Sequence, residues 1–266
     1  MLITSRNNAK VKKIRSLRSR KGREQTGLFL IEGVHLVTHA LQSEADIEAL
    51  VIAPELMDEL PNRLRHEMNN REGLARLDVS APVFASVADC DEARGIGAVV
   101  RQRWDHLEDV KLTDELCWIA INAVQCPSNL GTLLRISDAV GGRGIILLEN
   151  SADPYYPSAV RASLGAVLSQ RLVRTTFREF AIWTRRNEYR VVGTSPSATV
   201  DYRSVEYIPP LVLLLGNEWA GLTPEQESLC DLLVRIPMAG CVESHNVAVA
   251  AGIILYEILG QSRRAV

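Results

Sequence analysis

Three loops in this sequence place chemically capable side chains directly after apolar segments. In the first, Asn122 ends an apolar run, and a turn-forming stretch leads through Asn129 and Gly131 to Arg135. The Asn129 amide can cap a helix or bind a ligand, and the Arg135 guanidinium can face a phosphate or a developing negative charge. The alternative interpretation is a capped helix that carries a surface arginine.

The second loop follows five apolar residues, Leu211–Leu215, and begins with Gly-Asn-Glu. A carboxylate at the end of a buried strand costs free energy unless it has a partner. We therefore expect Glu218 either to belong to an ion pair or to serve as a catalytic or ligand-binding group.

The third loop ends at Asn246 and leads into a helix whose first residues are small. Small side chains let a helix pack closely against a backbone, another helix or a cofactor. Ser244 and Asn246 offer hydrogen-bonding groups at the positive end of this helix. His245 lies between them, and a histidine in such a loop more often contacts solvent or packs than acts as a base.

The elements that must position these loops follow from the hydrophobic pattern. Short, wholly apolar segments alternate with helical patterns after residue 116, which predicts a parallel sheet covered on both faces. Ligands bind such sheets at the carboxyl ends of the strands, where all three loops lie. The predicted strands are 29–31, 49–52, 79–85, 97–103, 117–123, 144–148, 189–194, 211–215 and 233–236, and the predicted helices are 34–41, 130–140, 158–168, 177–187 and 246–259.

The first part of the chain mixes both patterns and predicts a smaller α/β domain. A charge-rich stretch separates it from the second part, and few contacts are expected to cross such a stretch. We therefore expect one domain at 1–105, a linker at 106–115 and a second domain at 116–266.

Composition limits the classes of function. Of the 266 residues, 47% are hydrophobic and 23% are charged, which is typical of a globular protein with a core. No apolar segment approaches ~18 residues and the cationic N-terminus lacks the apolar stretch of a secretory signal, so we expect no membrane span and a cytoplasmic location. The five cysteines, Cys90 among them, form no C-x-x-C pair, so neither a zinc site nor a disulfide framework is expected.

Charge is unevenly distributed, although the net charge is only -2. Every charged residue from Arg6 to Arg23 is cationic, and a block of one sign suits a polyanion such as RNA or DNA. Apolar residues recur at helical spacing in the same segment, so a solvated amphipathic helix is the alternative, and both can hold. The residues expected to contact nucleic acid are Arg6, Lys10, Lys12, Lys13, Arg15 and Arg18.

Together, the three loops resemble motifs 1, 2 and 3 of the SpoU family of RNA 2'-O-ribose methyltransferases, within the SPOUT class. Order and spacing agree, and the similarity extends over residues 116–260. Residues 29–37 resemble the L30e-like substrate-binding domain that precedes many SpoU domains. The matching motif residues are Asn129-Leu130-Gly131 with Arg135, Leu215-Gly216-Asn217-Glu218 with Gly221-Leu222, and Ile236-Pro237-Met238 with Ser244-His245-Asn246-Val247.

The resemblance implies a fold, a cofactor and an assembly. The C-terminal domain would be an α/β-knot, a parallel sheet containing a deep trefoil knot, preceded by the smaller L30e-like α/β domain. S-adenosyl-L-methionine would bind in the knot, no metal would be needed, and the enzyme would be a homodimer. By carry-over, the cofactor-binding residues would be Thr194, Gly216, Asn217, Ile236, Met238, Ser244 and His245.

The implied reaction is methyl transfer to a ribose 2'-hydroxyl of structured RNA. Ribosomal RNA is favoured over transfer RNA by analogy with the L30e-like domain. Arg135 would stabilise the developing oxyanion, held in place by Glu218 and Asn129, because a guanidinium stays protonated and makes a poor base. The catalytic residues implied are Asn129, Arg135, Glu218, Ser244 and Asn246.

Two other functions remain open. One is an L30e-like RNA-binding protein whose methyltransferase half is inactive, and the intact Arg135, Glu218 and Asn246 argue against it. The other is a related knotted enzyme that acts on transfer RNA or on a base. The pairing of Asn129 with Arg135, and of Ser244 with Asn246, favours the ribose.

Overall fold

The computed structural model describes residues 1–57, 61–71, 73–89, 95–113 and 116–264. Cys90 and the last two residues of the predicted linker, 114 and 115, lie outside the described residues. The chain folds into two compact units, Met1–Gln102 with Tyr155–Leu168, and Arg103–Pro154 with Ser169–Val266.

The described residues form eleven strands and ten α-helices. The strands are β1 (Leu28–Glu32), β2 (Ile47–Ile52), β3 (Arg76–Asp78), β4 (Ile96–Arg101), β5 (Cys117–Asn122), β6 (Gly144–Leu148), β7 (Arg171–Thr175), β8 (Val191–Thr194), β9 (Val200–Asp201), β10 (Leu211–Leu215) and β11 (Leu232–Arg235). The helices are α1 (Ala9–Ser16), α2 (Arg20–Thr26), α3 (Val34–Gln42), α4 (Asn62–Asn70), α5 (Ala81–Val87), α6 (Pro127–Ala139), α7 (Pro157–Ala162), α8 (Phe177–Arg186), α9 (Pro224–Leu229) and α10 (Val247–Arg264). None of the described helices is both long and apolar enough to cross a membrane.

The first unit is built on a four-stranded sheet in the order β1-β4-β2-β3. Strand β4 pairs antiparallel with both β1 and β2, and β3 pairs parallel with β2. Val11 and Ile14 of α1 are buried in a cluster with Phe84 of α5. Because the apolar residues of α1 recur at helical spacing, Lys10, Lys12 and Lys13 face outward, whereas Arg15 is half-buried. The predicted amphipathic helix is therefore confirmed.

The predicted strand at 79–85 is wrong, because most of this segment forms α5. Pro82 lies in the first turn of the helix, where its missing N–H costs no hydrogen bond. A short apolar run does not by itself distinguish a strand from a buried helix.

One segment of the second half of the chain packs with the first unit. Tyr155–Leu168 belongs there, although the predicted second domain included it. The helix predicted at 158–168 ends at Ala162, because Leu164 and Gly165 follow with φ angles of 48° and 103°. The domain boundaries themselves stay a prediction.

The second unit is built on a seven-stranded sheet in the order β7-β6-β5-β10-β8-β11-β9, with every pairing parallel. Every residue of β5, β6 and β10 is buried. Successive side chains of a strand point to opposite faces, so both faces of the sheet are covered. The predicted α/β class with a parallel sheet is confirmed, and the trefoil knot stays a prediction.

The predicted linker packs against the second unit wherever it is described. Val110 and Leu112 are buried in the same apolar cluster as Trp118 of β5. The charged residues of this segment alternate with apolar residues that are buried. The high charge therefore predicted an exposed linker, although the apolar residues belong to the core.

Strand order brings the candidate loops together. Leu215, the last residue of β10, pairs with Ile121 of β5, and β8 lies on the other side of β10, next to β11. Parallel strands point the same way, so the loops after these strands leave from one edge of the sheet.

Candidate active site

Glu218 holds the loop after β10 against the start of α6. Its carboxylate accepts hydrogen bonds from the backbone N–H groups of Gln125 at 2.9 Å and Cys126 at 3.2 Å, and from the side-chain amide of Asn129 at 3.1 Å. The Cys126 side chain gives α6 no cap hydrogen bond. A carboxylate is favoured at this place because a helix N-terminus carries partial positive charge.

These donors also set the charge of Glu218. Burial raises the pKa of its carboxyl, but the hydrogen bonds from the two backbone N–H groups and from Asn129 lower it by more, so the pKa lies below its ordinary value. In the part of the chain that is described, the partners of Glu218 are hydrogen-bond donors, with no ion pair. The carboxylate is therefore ionised at neutral pH without a cationic partner.

The hydrogen-bond chain continues from Asn129 to the third loop. The Asn246 amide nitrogen donates to the Asn129 side-chain oxygen at 3.0 Å. The Asn246 side-chain oxygen accepts from the backbone N–H of Ala248 at 2.9 Å and so caps α10. Glu218, Asn129 and Asn246 thus join all three candidate loops into one site.

Asn217 fixes the loop of residues 216–222. Its side-chain oxygen accepts from the backbone N–H groups of Trp219, at 2.9 Å, and of the next residue, and its amide donates to the Ala123 carbonyl at 2.8 Å. Its backbone exchanges two hydrogen bonds of 3.0 Å with Gly221. A Cβ at Gly216 would collide with the backbone of Gly221, so this tight loop requires glycine there.

Two cavities adjoin at this edge of the sheet. The larger cavity has a volume of about 320 Å³, and the smaller cavity about 290 Å³. Among the residues that line both are Glu218, Trp219, Ser244 and His245. No group of three or more His, Cys, Asp or Glu side chains among the described residues could hold a metal ion.

The sequence of this unit matches one protein family over most of its length. Residues 117–256 match the SpoU rRNA Methylase family, a span of more than half of the chain. The chain belongs to the SpoU family. Residues 8–98 of this SpoU protein match the MRM3-like substrate binding domain, which agrees with the predicted N-terminal substrate-binding domain.

Known SpoU relatives resemble the chain over nearly its whole length. It is 31% identical over 258 residues to the 23S rRNA (guanosine(2553)-2'-O)-methyltransferase RlmP of Bacillus subtilis, covering 97% of this chain and 99% of that protein. An AdoMet-bound rRNA methyltransferase from Sinorhizobium meliloti superimposes with a TM-score of 0.88 at 35% identity, covering 100% of this chain and 98% of that one. AviRb of Streptomyces viridochromogenes in complex with AdoMet superimposes with a TM-score of 0.87 at 29% identity, covering 97% of this chain and 99% of that one.

The seven predicted cofactor-binding residues of the SpoU motifs all line the larger cavity. They come from the loops after β10 and β11 and from the end of β8: Thr194, Gly216, Asn217, Ile236, Met238, Ser244 and His245. Four of the five predicted catalytic residues line the smaller cavity: Asn129, Glu218, Ser244 and Asn246. The structure thus brings these residues together, and their individual roles stay predictions.

Arg135 is the exception among the SpoU motif residues. It is exposed on α6 and lines neither cavity. Glu218 and Asn129, expected to hold it, contact each other instead, and among described residues the Arg135 guanidinium has no hydrogen bond or ion pair. Helix α6 presents the guanidinium to solvent, so the expected contact is absent and the catalytic role stays a prediction.

Two residues that line the cavities were not predicted from the sequence. Trp219 lines both cavities and is 91% exposed, and its only signal was a large aromatic residue after Gly-Asn-Glu. Cys126, which was not among the predicted site residues, lines the smaller cavity with its sulfur 3.0 Å from the Ser128 hydroxyl. The hydrogen bond with Ser128, and then that with the Asn129 backbone, lower the pKa of the Cys126 thiol.

The cations predicted to contact nucleic acid lie in the first unit, and two of them form ion pairs. Lys13 forms an ion pair with Glu48 at 2.6 Å, and Arg18 forms one with Asp89 at 3.5 Å. Acidic partners from the folded unit, distant in sequence, therefore offset part of the positive charge that the sequence concentrates in this segment.

The other four cations divide into two groups. Arg6 donates to a backbone carbonyl, and Arg15 donates to a carbonyl and to a serine hydroxyl. Lys10 and Lys12 are exposed, and no described residue forms an ion pair with either. These two lysines are the cations most available to a polyanion.

Proposed function

We propose that this protein transfers a methyl group from S-adenosyl-L-methionine to a ribose 2'-hydroxyl of ribosomal RNA. The observation that carries the proposal is the pair of cavities that meet at Glu218, one lined by the predicted cofactor-binding residues and the other by four predicted catalytic residues. The relatives support it, because the Bacillus subtilis protein is a 23S rRNA 2'-O-methyltransferase and the Sinorhizobium meliloti rRNA methyltransferase binds AdoMet.

The larger cavity suits S-adenosyl-L-methionine in size and charge. Its volume of about 320 Å³ falls within the range of small-molecule sites, roughly 300–1,000 Å³. Glu218, Glu227 and Glu243 are carboxylates in its lining, which contains no lysine or arginine among the described residues. When bound, the cofactor supplies a methyl group on a cationic sulfonium, and an anionic lining favours such a cation.

The smaller cavity would receive the ribose. Ser244 lines it with an exposed side chain that no described residue hydrogen-bonds, so its hydroxyl is available to a ribose oxygen. Asn129 already binds Glu218 and Asn246, so we assign it to holding the loops in place. The catalytic task of the site is to align the 2'-oxygen and to remove its proton.

Arg135 would bind the substrate from the outer side of α6. Its guanidinium is exposed and has no partner among the described residues, so it is available to an RNA phosphate. A charge-assisted contact of this kind would hold the phosphate backbone of the RNA while the ribose occupies the smaller cavity.

The experiment uses radiolabelled S-adenosyl-L-methionine and 23S ribosomal RNA transcribed in vitro. We expect label to enter this RNA and one position to resist alkaline cleavage, because a 2'-O-methyl group removes the attacking hydroxyl. Absence of transfer, together with absence of cofactor binding, would refute the proposal. Transfer to a transfer RNA transcript alone, or labelled RNA without a resistant position, would favour the tRNA-directed or the base-directed alternative.

We further propose that the protein is a homodimer that acts in the cytoplasm. Val249 and Tyr256, seven residues apart on one face of α10, are 50% and 56% exposed and offer an apolar surface to a second copy. Relatives that modify 23S rRNA support the location. Light scattering on the purified protein tests the assembly, and a monomeric mass would overturn it.

A further inference from the structure

Trp219 combines a fixed backbone with a side chain almost entirely in solvent. Its backbone N–H donates to the Asn217 side-chain oxygen. The loop is closed by two backbone hydrogen bonds between Asn217 and Gly221. The indole is 91% exposed, whereas Trp118 and Trp183 are 0% and 6% exposed. Burial of a tryptophan is strongly favourable, so this exposed indole suits a partner that covers it.

The position of Trp219 indicates the chemistry of that partner. It lines both cavities, beside Ser244, at the boundary where the proposed cofactor and ribose sites meet. A nucleotide carries its base on the carbon next to the 2'-carbon, so a ribose in the smaller cavity brings its base, or a neighbouring base, close to this boundary. Unpaired bases bind proteins by stacking on aromatic side chains.

We propose that the Trp219 indole is a stacking platform for an unpaired base of the RNA substrate. This inference rests on the proposed function and adds a positioning residue to it. Stacking on the indole fixes the base and thereby limits where the attached ribose can lie. Every base has an aromatic face, so the platform strengthens RNA binding without selecting one base.

Binding measurements compare Trp219→Ala, Trp219→Phe and the control Ile182→Ala. Ile182 is a 57% exposed apolar residue on α8 that lines neither cavity. The probes are a short mixed-sequence oligoribonucleotide and an abasic oligomer of equal length. We expect Trp219→Ala to weaken binding of the first probe roughly tenfold and to leave the second unchanged, and we expect Trp219→Phe to restore most of the loss.

Kinetics and fluorescence provide readouts that a merely structural role would not move. In methyl transfer to the 23S rRNA transcript, Trp219→Ala should raise KM for RNA by a larger factor than it lowers kcat, with Kd for S-adenosyl-L-methionine unchanged. The wild-type protein should show indole quenching by the oligoribonucleotide. Trp219→Phe should abolish that quenching, because Trp118 and Trp183 are buried and Trp104 stacks against Arg174.

Four results would overturn the stacking proposal while leaving the proposed function in place. They are unchanged RNA binding by Trp219→Ala, equal loss with the abasic oligomer, weaker cofactor binding alone, and an altered oligomeric state that assigns Trp219 to a contact between copies. The proposed function fails on separate evidence, namely wild-type protein that transfers no methyl group to RNA.

Discussion

The side chains of Asn246 and Asn129 are joined by a hydrogen bond of 3.0 Å, although the two residues are 117 positions apart in the chain. The Asn129 amide donates a hydrogen bond to Glu218, and the Asn246 side-chain oxygen caps α10. Each amide thus uses both its donor and its acceptor, which fixes its orientation. The geometry of the smaller cavity depends on this chain of three side chains.

A double-mutant cycle on this pair should reveal coupling. Asn246→Ala removes a helix cap, worth about 1 kcal/mol, and also the donor to Asn129. We expect Asn129→Ala and Asn246→Ala to couple by about 0.5–1.5 kcal/mol in the free energy of unfolding, measured in urea. Asn7→Ala is the control, because Asn7 is exposed in the other unit and should combine additively with Asn129→Ala. Additivity of the first pair would contradict the link.

Glu218→Gln should destabilise the second unit in a pH-dependent way. The variant replaces one carboxylate oxygen, which accepts hydrogen bonds, with an NH2 group that faces other N–H donors. We expect this to lower the free energy of unfolding by about 1–3 kcal/mol at neutral pH. The folded pKa of Glu218 is lowered, so its stabilisation is present above the unfolded pKa of about 4.3 and is lost as pH falls through the folded pKa.

The test of Glu218 is urea unfolding of wild type and variant over a pH series. The gap in stability between them should be largest near neutral pH and should close in acid. Glu225→Gln, at an exposed position in α9, should stay close to wild type. A gap that is constant across the series would contradict the ionised role of Glu218.

Much of this site could be predicted because a parallel sheet gathers strand ends at one edge. The strand expected at 117–123 and that at 211–215 correspond to β5 and β10, which are direct neighbours. The alternation of apolar runs and helices therefore predicted which loops would meet. By contrast, β7 was missed, because it is an edge strand with two arginines and only two buried residues.

The atomic partners could not be predicted, because they depend on side-chain orientation in the folded sheet. Glu218 was expected to have a cationic partner or a ligand, and its partners are two backbone N–H groups and an amide. Arg135 was expected at Glu218, but α6 directs it outward. The basic segment near the N-terminus was visible in the sequence, whereas the acidic residues that neutralise Lys13 and Arg18 come from distant positions.

Gly216→Ala should damage cofactor binding far more than Gly221→Ala. A Cβ at Gly216 meets the backbone of Gly221, so the loop must open, and we expect Kd for S-adenosyl-L-methionine to rise roughly tenfold or more. A Cβ at Gly221 meets nothing within 4 Å, and its φ of +67° costs an alanine about 1 kcal/mol of stability. Isothermal titration calorimetry on both variants tests this, and equal losses would contradict the steric argument.

Arg135→Ala should abolish activity without unfolding the protein. The side chain is exposed and makes no hydrogen bond to a described residue, so Tm should not change. Loss of the cation that would contact the bound RNA should lower kcat by roughly 100-fold or more. Arg143→Ala, at another exposed arginine of the same unit, is the matched control and should retain activity. Full methylation of the RNA by Arg135→Ala would refute the assignment.

Two lysines of α1 should contribute most of the electrostatic RNA binding by this helix. Lys10 and Lys12 have no ion pair to a described residue, whereas Lys13 is bound to Glu48 and Arg18 to an aspartate. The double variants Lys10→Gln/Lys12→Gln and Lys13→Gln/Arg18→Gln change the net charge equally. A difference in RNA affinity between the two variants therefore reports loss of phosphate contacts and not a change in the net charge of the protein.

The measurement is Kd for the 23S rRNA transcript across a salt series. Each lost phosphate contact lowers the slope of log K against log salt by about 0.7–0.9, so we expect the first double variant to lose roughly 1–2 units of slope. Its deficit should be largest at low salt, where counterion release contributes most, and should shrink as salt rises. The second double variant should stay near the wild-type slope, because its cations are already engaged. Equal slopes for the two variants would contradict the division of the basic segment into free and paired cations.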